Sequence, residues 1–117
     1  SPITFEYLGP CPKVRVTYPE FPNNPYTLTL DNRRGMLRRM QSALCGEHSL
    51  YKLILNESGP LQGKKKNERI RTSCDKAPML KEYLYDTYGS LYGVRETADG
   101  TSLTHRFQFQ KDSRSEY

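Results

Sequence analysis

Asp31-Asn32-Arg33-Arg34-Gly35-Met36-Leu37-Arg38-Arg39-Met40-Gln41-Ser42-Ala43-Leu44-Cys45-Gly46 is the stretch whose reading decides the fold class. Met36, Leu37, Met40, Ala43 and Leu44 recur at the spacing of one helical face, with Arg33, Arg34, Arg38, Arg39 and Gln41 on the other sides. Asp31 or Asn32 supplies the short side-chain oxygen of an N-cap, and Gly46 a stop. The stretch therefore predicts an amphipathic helix packed on a sheet. Its arginines crowd the N-terminal end, where they oppose the helix dipole, so packing or a bound anion has to compensate. Residues 77–88 predict a second helix: Ser73 or Asp75 caps it, Pro78 suits the first turn, Leu80, Tyr83, Leu84 and Tyr88 form its stripe, and Gly89 ends it.

Outward from these segments the period changes to two. Ile3, Phe5 and Tyr7 alternate with Thr4 and Glu6, and Val14, Val16 and Tyr18 alternate with Lys13, Arg15 and Thr17, giving two strands, the second with a wet, basic face. Pro19, Pro22 and Pro25 make a stiff extended connection to a third strand at 26–30. Residues 50–55 form a short apolar run around Lys52 and read as a central strand. Residues 56–72, rich in Gly, Lys and Asn, read as a mobile loop. Ala98-Asp99-Gly100 between 91–97 and 101–110 signals a hairpin. The order β-β-β-α-β-loop-α-β-β predicts one α+β domain over residues 1–110, a mainly antiparallel sheet with both helices on one side, followed by a polar tail at 111–117.

The chain has 117 residues, 35% of them hydrophobic, and 18 Lys and Arg against 13 Asp and Glu, a net charge of +5. Such an excess suits nucleic acid, an anionic membrane face or an acidic protein. Two clusters concentrate it. Arg33, Arg34, Arg38 and Arg39 lie on the first expected helix, and Lys64, Lys65, Lys66, Arg69, Arg71 and Lys76 lie in and after the expected loop. Together these ten residues are the candidate polyanion contacts, because cations on a mobile segment neutralise phosphates without reading sequence.

Other chemistry is sparse. Cys45-Gly46-Glu47-His48 carries half of a metal-ligand pattern, and Cys11, Cys74 and His105 complete it only through an unseen fold. Neither His48 nor His105 has a nucleophile and carboxylate arranged beside it, so the expectation is a non-catalytic protein without cofactor or small-molecule substrate. Three widely spaced cysteines favour a reducing, intracellular compartment over a disulfide framework. Asn56-Glu57-Ser58 matches the N-glycosylation pattern, which that cysteine usage argues against. No apolar run approaches a membrane span, and no signal-like segment opens the chain.

Pro25-Tyr26-Thr27 leading into a helix, Leu50-Tyr51-Lys52-Leu53-Ile54, Ala77-Pro78-Met79 and Tyr92-Gly93-Val94-Arg95-Glu96 before a glycine turn resemble, in order, segments of rhabdovirus matrix proteins. The resemblance implies a virion structural protein that self-associates, binds ribonucleoprotein and contacts the inner face of an anionic membrane. Residues 14–55, with Tyr18-Pro19, Pro22, Pro25, Gly35 and Cys45-Gly46-Glu47, are similar to RWD domains, which implies a cellular protein-binding adaptor.

Overall fold

The computed structural model describes residues 2–9, 12–31, 35–46 and 48–107. Over these residues the chain forms nine strands: β1 (Thr4–Leu8), β2 (Lys13–Thr17), β3 (Tyr26–Leu30), β4 (Leu37–Ser42), β5 (Ser49–Leu55), β6 (Lys65–Ile70), β7 (Met79–Tyr85), β8 (Leu91–Ala98) and β9 (Thr101–Arg106). They lie in one sheet in sequence order, every pair antiparallel, with β1 and β9 as its edges. A single 3-10 turn, Ala43–Cys45, is the helical content among the described residues. The α+β expectation is therefore corrected to an all-β meander.

Three segments account for the difference. The first expected helix is β4, where Leu28 and Tyr51 flank Met40 from β3 and β5. Ladder pairing on both sides, though interrupted by register shifts, satisfies backbone groups of a central strand, and that outweighs an apolar spacing that fits a helix equally well. The second expected helix is β7, in which Met79, Lys81 and Tyr83 face one way and Leu80, Glu82 and Leu84 the other. The expected mobile loop contains β6, a strand of low intrinsic propensity held between β5 and β7. Residues 56–64 remain a connection, folded on itself by bonds from Asn56 N–H to the Lys64 carbonyl (2.9 Å) and from Gly63 N–H to the Asn56 carbonyl (2.8 Å). The expected hairpin is present: Asp99 and Gly100 have φ of 52° and 78°, the two positive values of a tight two-residue turn. Residues 108–117, including the expected tail, lie outside the described residues.

Alternate turns of a meander share an end of the sheet, and here they are stitched together. Ser42 Oγ donates to Asn24 Oδ1 (2.6 Å), which also accepts from Leu44 N–H (3.1 Å), joining the β2–β3 turn to the β4–β5 turn. Cys45 and Cys74 form a disulfide that joins the β4–β5 turn to the β6–β7 connection across 29 positions of sequence. The reading of three unpaired thiols is thereby corrected, since residues distant in sequence lie on adjacent turns. At the opposite end Lys64 Nζ donates to the Gly89 carbonyl (2.5 Å).

Residues directly opposite one another share a face, so the registers sort the side chains. One row reads Tyr7, Val14, Leu28, Met40, Tyr51, Ile70 and Met79 across β1 to β7. Beside it Leu53 opposes Glu68, and Glu68 opposes Lys81. The other face carries the row Lys13, Thr29, Arg39, Lys52, Arg69 and Leu80 across β2 to β7. Among the described residues the buried apolar side chains are Val16, Cys45, Leu53 and Val94. The Cα radius of gyration is 17.9 Å, against about 13 Å for a compact chain of about 100 residues. The molecule is an extended sheet with a thin core.

Candidate functional site

The register brings together cations that the sequence scatters. Arg39, Lys52 and Arg69 sit opposite one another on β4, β5 and β6, and Lys13 lies in the same row beyond Thr29. Strands are spaced by about 4.8 Å, so from β2 to β6 the row is roughly 19 Å long. Like charges in directly opposed positions repel, and this arrangement is a local cost to the sheet. Lys13, Lys52 and Arg69 are exposed and Arg39 is half-buried. Arg39 Nε donates to Ser49 Oγ (2.6 Å), which orients the guanidinium without neutralising it. Among the described residues no carboxylate forms an ion pair with Lys13, Arg39, Lys52 or Arg69. Glu82, diagonal to Arg69, pairs with Arg95 instead (3.9 Å).

An open basin of about 1020 Å³ covers part of this row. Thr29, Arg38, Arg39 and Lys52 line it together with Asn56 and the acidic residues Asp31 and Glu57. Arg38 is the neutralised member: its guanidinium meets Asp31 (3.5 Å) and its Nε donates to the Leu53 carbonyl (3.2 Å). The basin is wide and shallow, so it suits a chain lying across the sheet better than an enclosed small molecule.

The remaining candidate cations go elsewhere. Arg33 and Arg34 lie outside the described residues. Lys64 and Lys65 stand over the rings of Tyr85 and Tyr83, with Nζ 5.7 and 5.5 Å from the centroids. They belong to the opposite, tyrosine-lined side, where Lys65 also faces Glu68. Lys66 and Lys76 are exposed, and Arg71 donates through Nη1 to the Lys76 carbonyl. Of the ten residues singled out from sequence, the register places Arg39 and Arg69 in one row. Lys13, Lys52 and Thr29 complete it. The alternation of residues 13–17 already marked a basic strand face, but the register that aligns Lys52 with two arginines has no local sequence signal.

Around Glu68 the chemistry is structural. Tyr51 and Tyr83 each donate a phenolic hydrogen bond to its carboxylate, one to each oxygen. Burial pushes the Glu68 pKa up, but the two phenols and the nearby Lys65 and Lys81 outweigh it, leaving the carboxyl below its ordinary range. Burial and the adjacent carboxylate push both phenols well above the ordinary tyrosine value.

The histidines do not converge: His48 is exposed beyond the 3-10 turn, and His105 on β9 contacts Glu96 (3.0 Å). Cys45 and Cys74 are consumed by their disulfide, and Cys11 and Glu47 lie outside the described residues. Among the described residues no three His, Cys, Asp or Glu side chains group as metal ligands, and no helix is long and apolar enough to cross a membrane. Asn56 Nδ2 donates to the Lys64 carbonyl (3.2 Å), so the amide of the Asn-x-Ser triplet is already engaged in its own turn.

Compared with known proteins, the chain matches no family model, no curated protein and no solved structure. The two helices on which the resemblance to matrix proteins drew are β4 and β7.

Proposed function

We propose that this chain is a non-catalytic binding protein that holds an extended polyanion on the face built by β2, β4, β5 and β6. The observation carrying this reading is the in-register row Arg39, Lys52 and Arg69, three cations directly opposed with no carboxylate paired to them among the described residues. A linear anion laid across the strands meets one charge per strand and relieves their mutual repulsion. The Cys45–Cys74 bond closes a loop that contains β5 and β6, two of the three strands that carry the row. Disulfides persist in oxidising surroundings, so the same bond favours that kind of compartment over a reducing one.

The test is a titration with dextran sulfate, a generic polyanion, at several salt concentrations. The wild-type chain is expected to bind with a steep salt dependence, and the R39Q/K52Q/R69Q variant to lose roughly two to three from the log–log slope, about one per removed contact. The same variant should be no less stable, because three opposed charges are gone. Unchanged binding by the variant rejects the site. Binding equally weak in both proteins, with capture of a neutral protein partner by the apolar row, would favour an adaptor instead.

A further inference from the structure

We infer that the polyanion is a sulfated polysaccharide, an inference that rests on the binding face proposed above and specifies its partner. Three observations converge on it. First, among the described residues the row itself carries no aromatic side chain. Tyr7, Tyr26, Tyr51 and Tyr83 all register on the opposite side of the sheet, with the apolar row or with Glu68. Single-stranded nucleic acid is held by cations interleaved with aromatic rings, and here the cations stand without rings.

Second, hydroxyl and amide groups lie between and beside the cations, together with Leu80 opposite Arg69 and Glu6 opposite Arg15. Thr29 fills the gap between Lys13 and Arg39, and Thr27, opposed to Arg15 and Gln41, forms the next row on the same face. A charged sugar chain offers what this surface can use: sulfates for the guanidinium and ammonium groups, and free hydroxyls for the threonine and glutamine side chains. A pyranose ring is about as long as one strand spacing, so sulfates on successive sugars can meet cations on successive strands. Arginine favours such oxyanions because its planar fork donates two parallel hydrogen bonds.

Third, the Cys45–Cys74 disulfide ties the site to oxidising surroundings. Nucleic acid and the anionic inner leaflet of a membrane are polyanions of the reducing side. Sulfated polysaccharides are polyanions of the oxidising side.

The experiment uses the oxidised chain in calorimetric titrations at two salt concentrations. The probes are heparin, chemically desulfated heparin, a single-stranded RNA oligonucleotide and phosphatidylserine vesicles. Heparin is expected to bind at least tenfold more tightly than the other three. Lys13→Gln should weaken heparin about threefold, because Lys13 extends the row past Thr29, while Lys66→Gln, an exposed charge outside the row, should leave it within twofold. RNA or vesicles bound as tightly as heparin would overturn the polysaccharide assignment and leave the polyanion face standing. Heparin binding indifferent to R39Q/K52Q/R69Q would instead remove the face itself. Equal losses from Lys13→Gln and Lys66→Gln would show attraction to net charge alone and overturn the row as a site.

Discussion

Glu68 is 8% exposed, an ionised side chain held almost out of water between β5 and β7. What keeps it charged is two phenolic donors and two neighbouring ammonium groups, so its carboxyl titrates below the ordinary range. A carboxyl whose folded pKa lies below its unfolded value contributes stability that is present above the unfolded value, near 4.5, and disappears as pH falls through the folded one. Tyr51 and Tyr83 have the opposite sense: their pKa values are raised, so their contribution is full below about pH 10 and is lost as pH rises beyond it. Glu68→Gln should therefore cost about 1–3 kcal/mol at neutral pH and flatten the acid limb of a stability–pH curve measured by urea unfolding. An acid limb as steep as that of the wild type would show that other carboxylates set it. Gly93 is a second residue without latitude. A Cβ there would lie 2.8 Å from the His105 carbonyl oxygen on the neighbouring strand, so Gly93→Ala should force β9 away and cost about 1–3 kcal/mol in a thermal melt.

Among the elements, the hairpin of β8 and β9 was legible because Asp-Gly encodes its turn locally, and β1 to β3 because their alternation is clean. β4 was not legible, because Met36, Leu37, Met40, Ala43 and Leu44 satisfy a helical period while the partners that make the segment a strand lie on β3 and β5. β6 hid behind Lys65-Lys66-Asn67-Glu68-Arg69, a composition of loops, and exists because Glu68 is gripped from both sides. Of the cation row, the basic side of β2 was visible, but the alignment of Arg39, Lys52 and Arg69 depends on pairings that no local pattern announces. The disulfide was equally out of reach from an odd count at wide spacing. Closing a loop of this length contributes roughly 3–4 kcal/mol through the unfolded chain. With so few side chains fully buried, a reduced protein or a C45S/C74S variant should melt well below the oxidised one and should bind polyanions more weakly, since β4 and β6 lose their common clamp. Coincident melts with and without reductant would show that the bond adds nothing to the fold.

At the scale of the molecule, nine strands in chain order place the first and last strands at opposite edges of one sheet. Tension applied to the two termini therefore loads one hairpin at a time, peeling strands off like a zip rather than shearing them together. Optical tweezers should record a staircase of low-force steps, with no single high peak. The exception is the segment between Cys45 and Cys74, which cannot pay out while its bond is intact. Adding reductant should lengthen the fully stretched chain by roughly 100 Å, the reach of the sequestered residues. Under load, this sheet would behave as two extensible arms joined by a locked central clasp, and that clasp holds β5 and β6, two of the strands on which the polyanion is proposed to lie.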